Sequence, residues 1–156
     1  MAELKEKLRA DLTAAIKERD TVATGVLRMA LSAVGTEEVA GKQARELTDE
    51  EVQRVLSKEA KKREESAAAF DTAGRPEQAA AERSEGEVLR RYLPAQLGEE
   101  ELGELVRAAV SEVAADLGEQ PGPKQMGQVM KVANAKVAGR AEGGRVAAAV
   151  KAELAG

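Results

Sequence analysis

Residues 124–154 read KQMGQVMKVANAKVAGRAEGGRVAAAVKAEL. Advancing about 100° per residue from Lys124 places Met126, Val129, Met130, Ala133 and Val137 on one side, and Lys124, Gln128 and Lys131 on the other. After the turn Gly139-Arg140-Ala141-Glu142-Gly143-Gly144, Val146, Val150 and Leu154 recur at i, i+4 and i+8, which is a second helical stripe. The stretch therefore predicts two short amphipathic helices joined by a glycine-rich turn. Its polar positions are mostly basic: Lys124, Lys131, Lys136, Arg140, Arg145 and Lys151, opposed only by Glu142 and Glu153. Residues 123–156 thus carry about +4 in a chain whose total is −4, and everything before them carries about −8.

Working back from this stretch, Pro121-Gly122-Pro123 breaks the chain before the terminal pair. Residues 99–117 predict a helix with Leu102, Leu105, Val106, Ala109, Val110, Val113 and Leu117 inside and an acidic outer face of Glu99, Glu100, Glu101, Glu104, Glu112 and Asp116. Leu93-Pro94 ends the helix before it, because proline disfavours helical geometry at the preceding residue. That preceding helix follows the stop signal Gly74 and the N1 proline Pro76, and carries Gly86 in its interior. Upstream, Thr48 and Glu51 form a capping-box signal for a helix to about Ala73, with Leu47 placed to staple onto Val52. Leu4, Leu8, Leu12 and Ile16 stripe a first helix over 3–18, and Asp20 offers an N-cap to a second that runs to about Val39. The expected fold is all-α: an N-terminal helical domain of about four helices over 1–93, a proline hinge at 94–97, and a small three-helix domain over 98–156.

Composition agrees with helices. The chain of 156 residues is 43% apolar, with one Phe, one Tyr and no Trp, and alanine supplies much of the apolar count. Alanine is the best helix former, and β-branched aromatic runs are absent. There is no cysteine and no histidine. That excludes disulfides, thiol nucleophiles and Cys/His zinc sites, and removes the commonest general base. No apolar run approaches a membrane span and no signal-peptide core opens the chain, so a soluble cytoplasmic protein without membrane contact is expected.

Few residues could carry chemistry. No phosphate-binding glycine loop, nucleophile elbow or activated nucleophile is present, so no catalytic residue, metal or cofactor is expected. Glu82 and Glu85, three apart on one helix, could pair as acid and base or hold a divalent ion, but a polar interhelical pair is the plainer reading. The charged run Lys61-Lys62-Arg63-Glu64-Glu65 reads first as a solvated face. Lys124, Lys131, Lys136, Arg140, Arg145 and Lys151 are the better candidates, because a phosphate backbone needs several cations on one face. Arg140 and Arg145 also flank a helix start, where N–H groups point outward. The alternative is that these charges balance the acidic fifth helix. Without aromatic stacking platforms, any RNA contact goes to shape and phosphates.

Lys58-Glu59 through Glu65, Phe70, Ala73-Gly74-Arg75, Glu82, Glu85 and Leu89-Arg90-Arg91-Tyr92-Leu93-Pro94-Ala95-Gln96-Leu97 resemble the YqeY family, as do Met126-Gly127-Gln128-Val129-Met130-Lys131 and Gly139 to Val146. The resemblance covers essentially the whole chain. It implies a helical N-terminal domain and a three-helix domain similar to the tail of the GatB subunit of tRNA-dependent amidotransferases, and to a segment in the N-terminal extension of some glutaminyl-tRNA synthetases. In those larger proteins this domain assists contact with tRNA while catalysis resides elsewhere. The family's usual label, carbon–nitrogen ligase with glutamine as amido-N-donor, comes by that kinship. The resemblance implies a non-catalytic accessory module with tRNA or other structured RNA as partner. The other function class is a protein-interaction adaptor docking through the charged third and fourth helices, with a partner in tRNA aminoacylation or amidation. Glu142 departs from the aspartate usual before Gly143, which predicts a weaker cap.

Overall fold

The computed structural model describes residues 2–156. Among them the chain forms seven α-helices and one short 3-10 turn, with no strand, so the fold is all-α. It divides into two compact units, Met1–Leu93 and Pro94–Gly156.

The first unit contains α1 (Glu3–Glu18), α2 (Thr21–Glu38), α3 (Asp49–Thr72) and α4 (Pro76–Arg90). Its apolar centre includes Leu8, Leu27, Leu56 and Leu89, all within 2% of full burial. Each such leucine contributes roughly 1.5–3 kcal/mol by leaving water. In α1 only part of the leucine stripe reaches that centre. Leu8 is fully buried, Leu4 and Leu12 are half-buried, and Ile16 is 47% exposed. A four-residue spacing advances 40° per step around a helix of 3.6 residues per turn, so Ile16 has rotated out of the seam. Ala15, seven residues from Leu8, takes the inward place.

The caps read from the sequence form. Asp20 Oδ1 accepts from the Ala23 N–H at 3.0 Å. Thr48 Oγ1 accepts from the Glu51 N–H at 3.2 Å, and the Glu51 carboxylate accepts from the Thr48 N–H at 2.9 Å. Arg45 adds two bonds to the same carboxylate, at 2.8 and 2.9 Å. The Arg45 guanidinium first, and the Thr48 amide second, hold the Glu51 carboxyl down at about 2. A carboxyl depressed in the folded state adds stability above its ordinary value of 4.5 and loses it as pH falls toward about 2. Glu51→Gln is therefore expected to flatten the acid limb of denaturant stability across that window. A variant with the wild-type acid slope would contradict this.

Gly86 marks a close approach. It is buried, and a Cβ there would stand 3.5 Å from Arg63 Cβ and 3.1 Å from Arg90 Nη2. The Arg63 distance is an ordinary van der Waals contact with α3, and only the movable guanidinium of Arg90 comes closer, so the glycine, which costs about 1 kcal/mol in an isolated helix, lets Arg90 fold back over this position. Ala67 and Ala79, both fully buried, lie on the same helix pair. Fourth-helix geometry stops at Arg90, two or three residues before the proline-based expectation. Tyr92 and Leu93 instead donate to Leu89 and Arg90 carbonyls, three residues back, at 3.1 Å each, which tightens the last turn. Tyr92 then reaches α1, donating its hydroxyl to Asp11 Oδ2 at 2.6 Å with Lys7 Nζ 5.6 Å from its ring centre. Burial, then the Asp11 hydrogen bond, pushes that hydroxyl above its ordinary range.

The second unit contains α5 (Glu99–Leu117), the 3-10 turn (Pro123–Gln125), α6 (Met126–Val137) and α7 (Gly143–Ala155). The three helices pack on one another in every pairing. Leu102, Val106, Ala109 and Val113 of α5 meet Val129, Ala133 and Val137 of α6 and Val146 and Val150 of α7, all buried. Both terminal stripes quoted from the sequence thus face one apolar centre.

Candidate nucleic-acid interface

The six cations of the terminal stretch separate into two groups. Lys136, Arg140 and Arg145 are engaged inside the second unit; Lys124, Lys131 and Lys151 are not.

The division begins at the end of α6. Ala138 and Gly139 adopt left-handed backbone, with φ of 51° and 80°, and stop the helix. Its last carbonyls would be left without partners. Arg140 turns back over them, donating Nε–H to the Val137 carbonyl and Nη2–H to the Lys136 carbonyl, both at 3.1 Å. A cation there also complements the negative end of the helix. Glu142 then caps α7, its Oε1 accepting from the Gly144 N–H at 2.8 Å. The longer side chain folds back because Gly144 leaves it room: a Cβ there would lie 2.9 Å from Glu142 Oε2. The cap expected to be weakened by this glutamate is nevertheless made.

Arg145, in the first turn of α7, reaches the start of the unit. Its Nη2 donates to the Leu97 carbonyl at 2.9 Å and to Glu99 Oε1 at 2.8 Å. The Leu97 N–H donates to the Arg140 carbonyl at 2.7 Å. Leu97 is buried, and both of its main-chain polar groups are met by the 139–145 turn, as buried backbone requires. Lys136 pairs with Glu112 of α5 at 2.9 Å. Charge balance against the acidic helix is thus real for Lys136 and Arg145.

Lys124, Lys131 and Lys151 are exposed and make no hydrogen bond or ion pair among the described residues. Lys124 lies in the 3-10 turn and Lys131 in α6. Seven residues apart, they share one face at a separation of roughly 10 Å along the axis. Gly127, Gln128, Asn134 and Ala135 are exposed on the same side. Lys151 is exposed on the neighbouring α7, beside Ala148 and Ala152. The outward surface of the 3-10 turn, α6 and α7 therefore carries small side chains, amides, three ammonium groups without a bonded partner among the described residues, one exposed carboxylate at Glu153, and no exposed aromatic.

The other sequence candidates are placed in the first unit. Glu82 and Glu85 both grip Arg63 of α3, at 3.2 and 2.9 Å, so they form the interhelical polar pair rather than an acid–base couple. Lys62 pairs with Glu59 at 3.3 Å, and Arg83 with Asp71 at 2.8 Å and Glu64 at 3.5 Å. Among the described residues no three Asp, Glu, His or Cys side chains gather as a metal site, and no helix is long and apolar enough to cross a membrane.

The profile of the family described as Yqey-like protein matches residues 5–154. No curated protein matches the chain.

Proposed function

The chain belongs to the Yqey-like protein family, and on that footing we propose that it is a non-catalytic accessory module that contacts tRNA or another structured RNA in the cytoplasm. The second unit is the RNA-facing part, a counterpart of the tail of amidotransferase GatB subunits. The observation that carries this reading is the set of three exposed lysines, Lys124 in the 3-10 turn, Lys131 on α6 and Lys151 on α7, that have no bonded partner among the described residues. Lysine meets phosphate as a point charge and needs no partner geometry. Lys136, Arg140 and Arg145 stand close by, but their first role is to hold the turn that places α7. Any contact they make with RNA is shared with those bonds.

The family label of carbon–nitrogen ligase with glutamine as amido donor belongs, on this reading, to the larger relatives. With no histidine or cysteine in the sequence, this chain is read as recognising rather than transferring. The full chain is expected to retard unfractionated tRNA in a native gel at physiological salt. It is expected to show no glutamine-dependent amidation of a misacylated tRNA. Unshifted tRNA, with a protein captured through α3 and α4 instead, would replace this reading with the adaptor.

A further inference from the structure

Between α2 and the N-terminal half of α3 the first unit leaves a groove of about 580 Å³. Ala33, Leu47 and Val55 supply its apolar wall. The rest of the lining is mostly charged, and the charges are unequally paired. Arg45 holds Glu51 at 2.8 Å, and Lys62 holds Glu59 at 3.3 Å. Glu37, the remaining carboxylate, acts on Arg45 through space.

Four cations face three carboxylates in this lining, and two of the cations have no bonded partner among the described residues. Arg54 and Lys58 both line the groove, are exposed, and make no hydrogen bond or ion pair among the described residues. Four residues apart on α3, they stand one above the other with roughly 6 Å of rise between them. A guanidinium fork beside an ammonium suits one oxyanion: the fork gives two parallel N–H bonds and the ammonium adds a point charge. Arg54 acts on Glu51 through space, but Glu51 and Glu59 each have a bonded cation in Arg45 and Lys62, which leaves the Arg54 and Lys58 donors open to an incoming anion. The apolar wall beside it suits a carbon body.

We propose that this groove binds a small ligand that joins a phosphoryl or carboxylate group to an apolar body, with Arg54 and Lys58 on the anion and Val55 and Leu47 against the body. Neither the groove nor these two residues belong to the RNA surface proposed above.

The test is an amide-shift titration of the full, ¹⁵N-labelled chain at constant ionic strength. The probes are hexyl phosphate, hexanoate and inorganic phosphate. Saturable shifts are expected only around residues 33–37 and 45–62. Hexyl phosphate is expected to bind about tenfold or more tighter than inorganic phosphate, since burying two or three methylenes is worth that much. The ranking of hexyl phosphate against hexanoate tells a phosphoryl ligand from a carboxylate. Arg54→Gln with Lys58→Gln is expected to weaken the better probe by about tenfold or more, as charge-assisted bonds are lost. Lys124→Gln with Lys131→Gln is expected to leave it unchanged. The proposal is overturned by absence of saturable shifts, by shifts spread over all lysine-bearing faces, by equal affinity for hexyl and inorganic phosphate, or by a groove variant that binds as wild type.

Discussion

Val146→Asp is expected to unfold residues 94–156 and leave the first unit folded. Val146 is fully buried among Leu97, Leu102, Val106, Val129 and Val150. No cation lies in that cluster, so a carboxylate there is desolvated without compensation, at a cost of several kcal/mol beyond the lost valine burial. At roughly 0.05–0.15 kcal/mol per residue, a unit of about 60 residues holds some 3–9 kcal/mol in all. The substitution therefore removes most or all of its stability. The first unit is expected to persist because its apolar cluster, built on Leu8, Leu27, Leu56 and Leu89, shares no residue with the second. In an amide correlation spectrum the second unit's peaks collapse to the disordered range while the first unit's stay in place. Loss of both sets would show that the units fold together, and retention of both would show that Val146 is not held as described.

The second large effect is on RNA. Lys124→Ala, Lys131→Ala and Lys151→Ala together are expected to weaken tRNA binding more than about tenfold near physiological salt, three screened charge-assisted contacts being lost. The loss is expected to be similar for every tRNA, since phosphates position without specifying sequence. The fold is expected to survive, because all three side chains are exposed and have no bonded partner among the described residues. Arg145→Ala is the informative comparison. It removes the bonds to Leu97 and Glu99, so its effect is expected on thermal stability as well as on binding. If Arg145→Ala lowers binding with stability untouched, the division of the six cations is wrong.

Much of the architecture was legible because it is local. Asp20, Thr48 and Glu51 sit next to the N–H groups they cap, and the apolar stripes of α6 and α7 point inward as their periodicity requires. The α1 stripe was legible only in part. Four-residue spacing looks like one face but rotates away from it, and only the packing shows that Ala15 replaces Ile16. Gly86 stands inside its helix with no local reason, and the neighbours it packs against, Arg63 on another helix and the folded-back Arg90, are seen only in the fold. Arg140 could have been read as a C-terminal cap from its place after Gly139. Arg145 could not: its partners, Leu97 and Glu99, lie more than forty residues upstream. A helix-start arginine beside glycines reads equally as an anion site or a structural clip until the chain is folded. The α2–α3 groove was invisible for the same reason, since it needs two helices and the loop between them.

The most direct test of the RNA reading is the salt dependence of tRNA affinity for the wild-type chain. Three phosphate contacts from Lys124, Lys131 and Lys151 give a log–log slope of roughly −2 to −3, or a loss of about 20- to 40-fold between 50 and 200 mM monovalent salt. The triple alanine variant moves that slope toward zero. A wild-type slope near zero, or one that the three substitutions leave unchanged, would contradict the account.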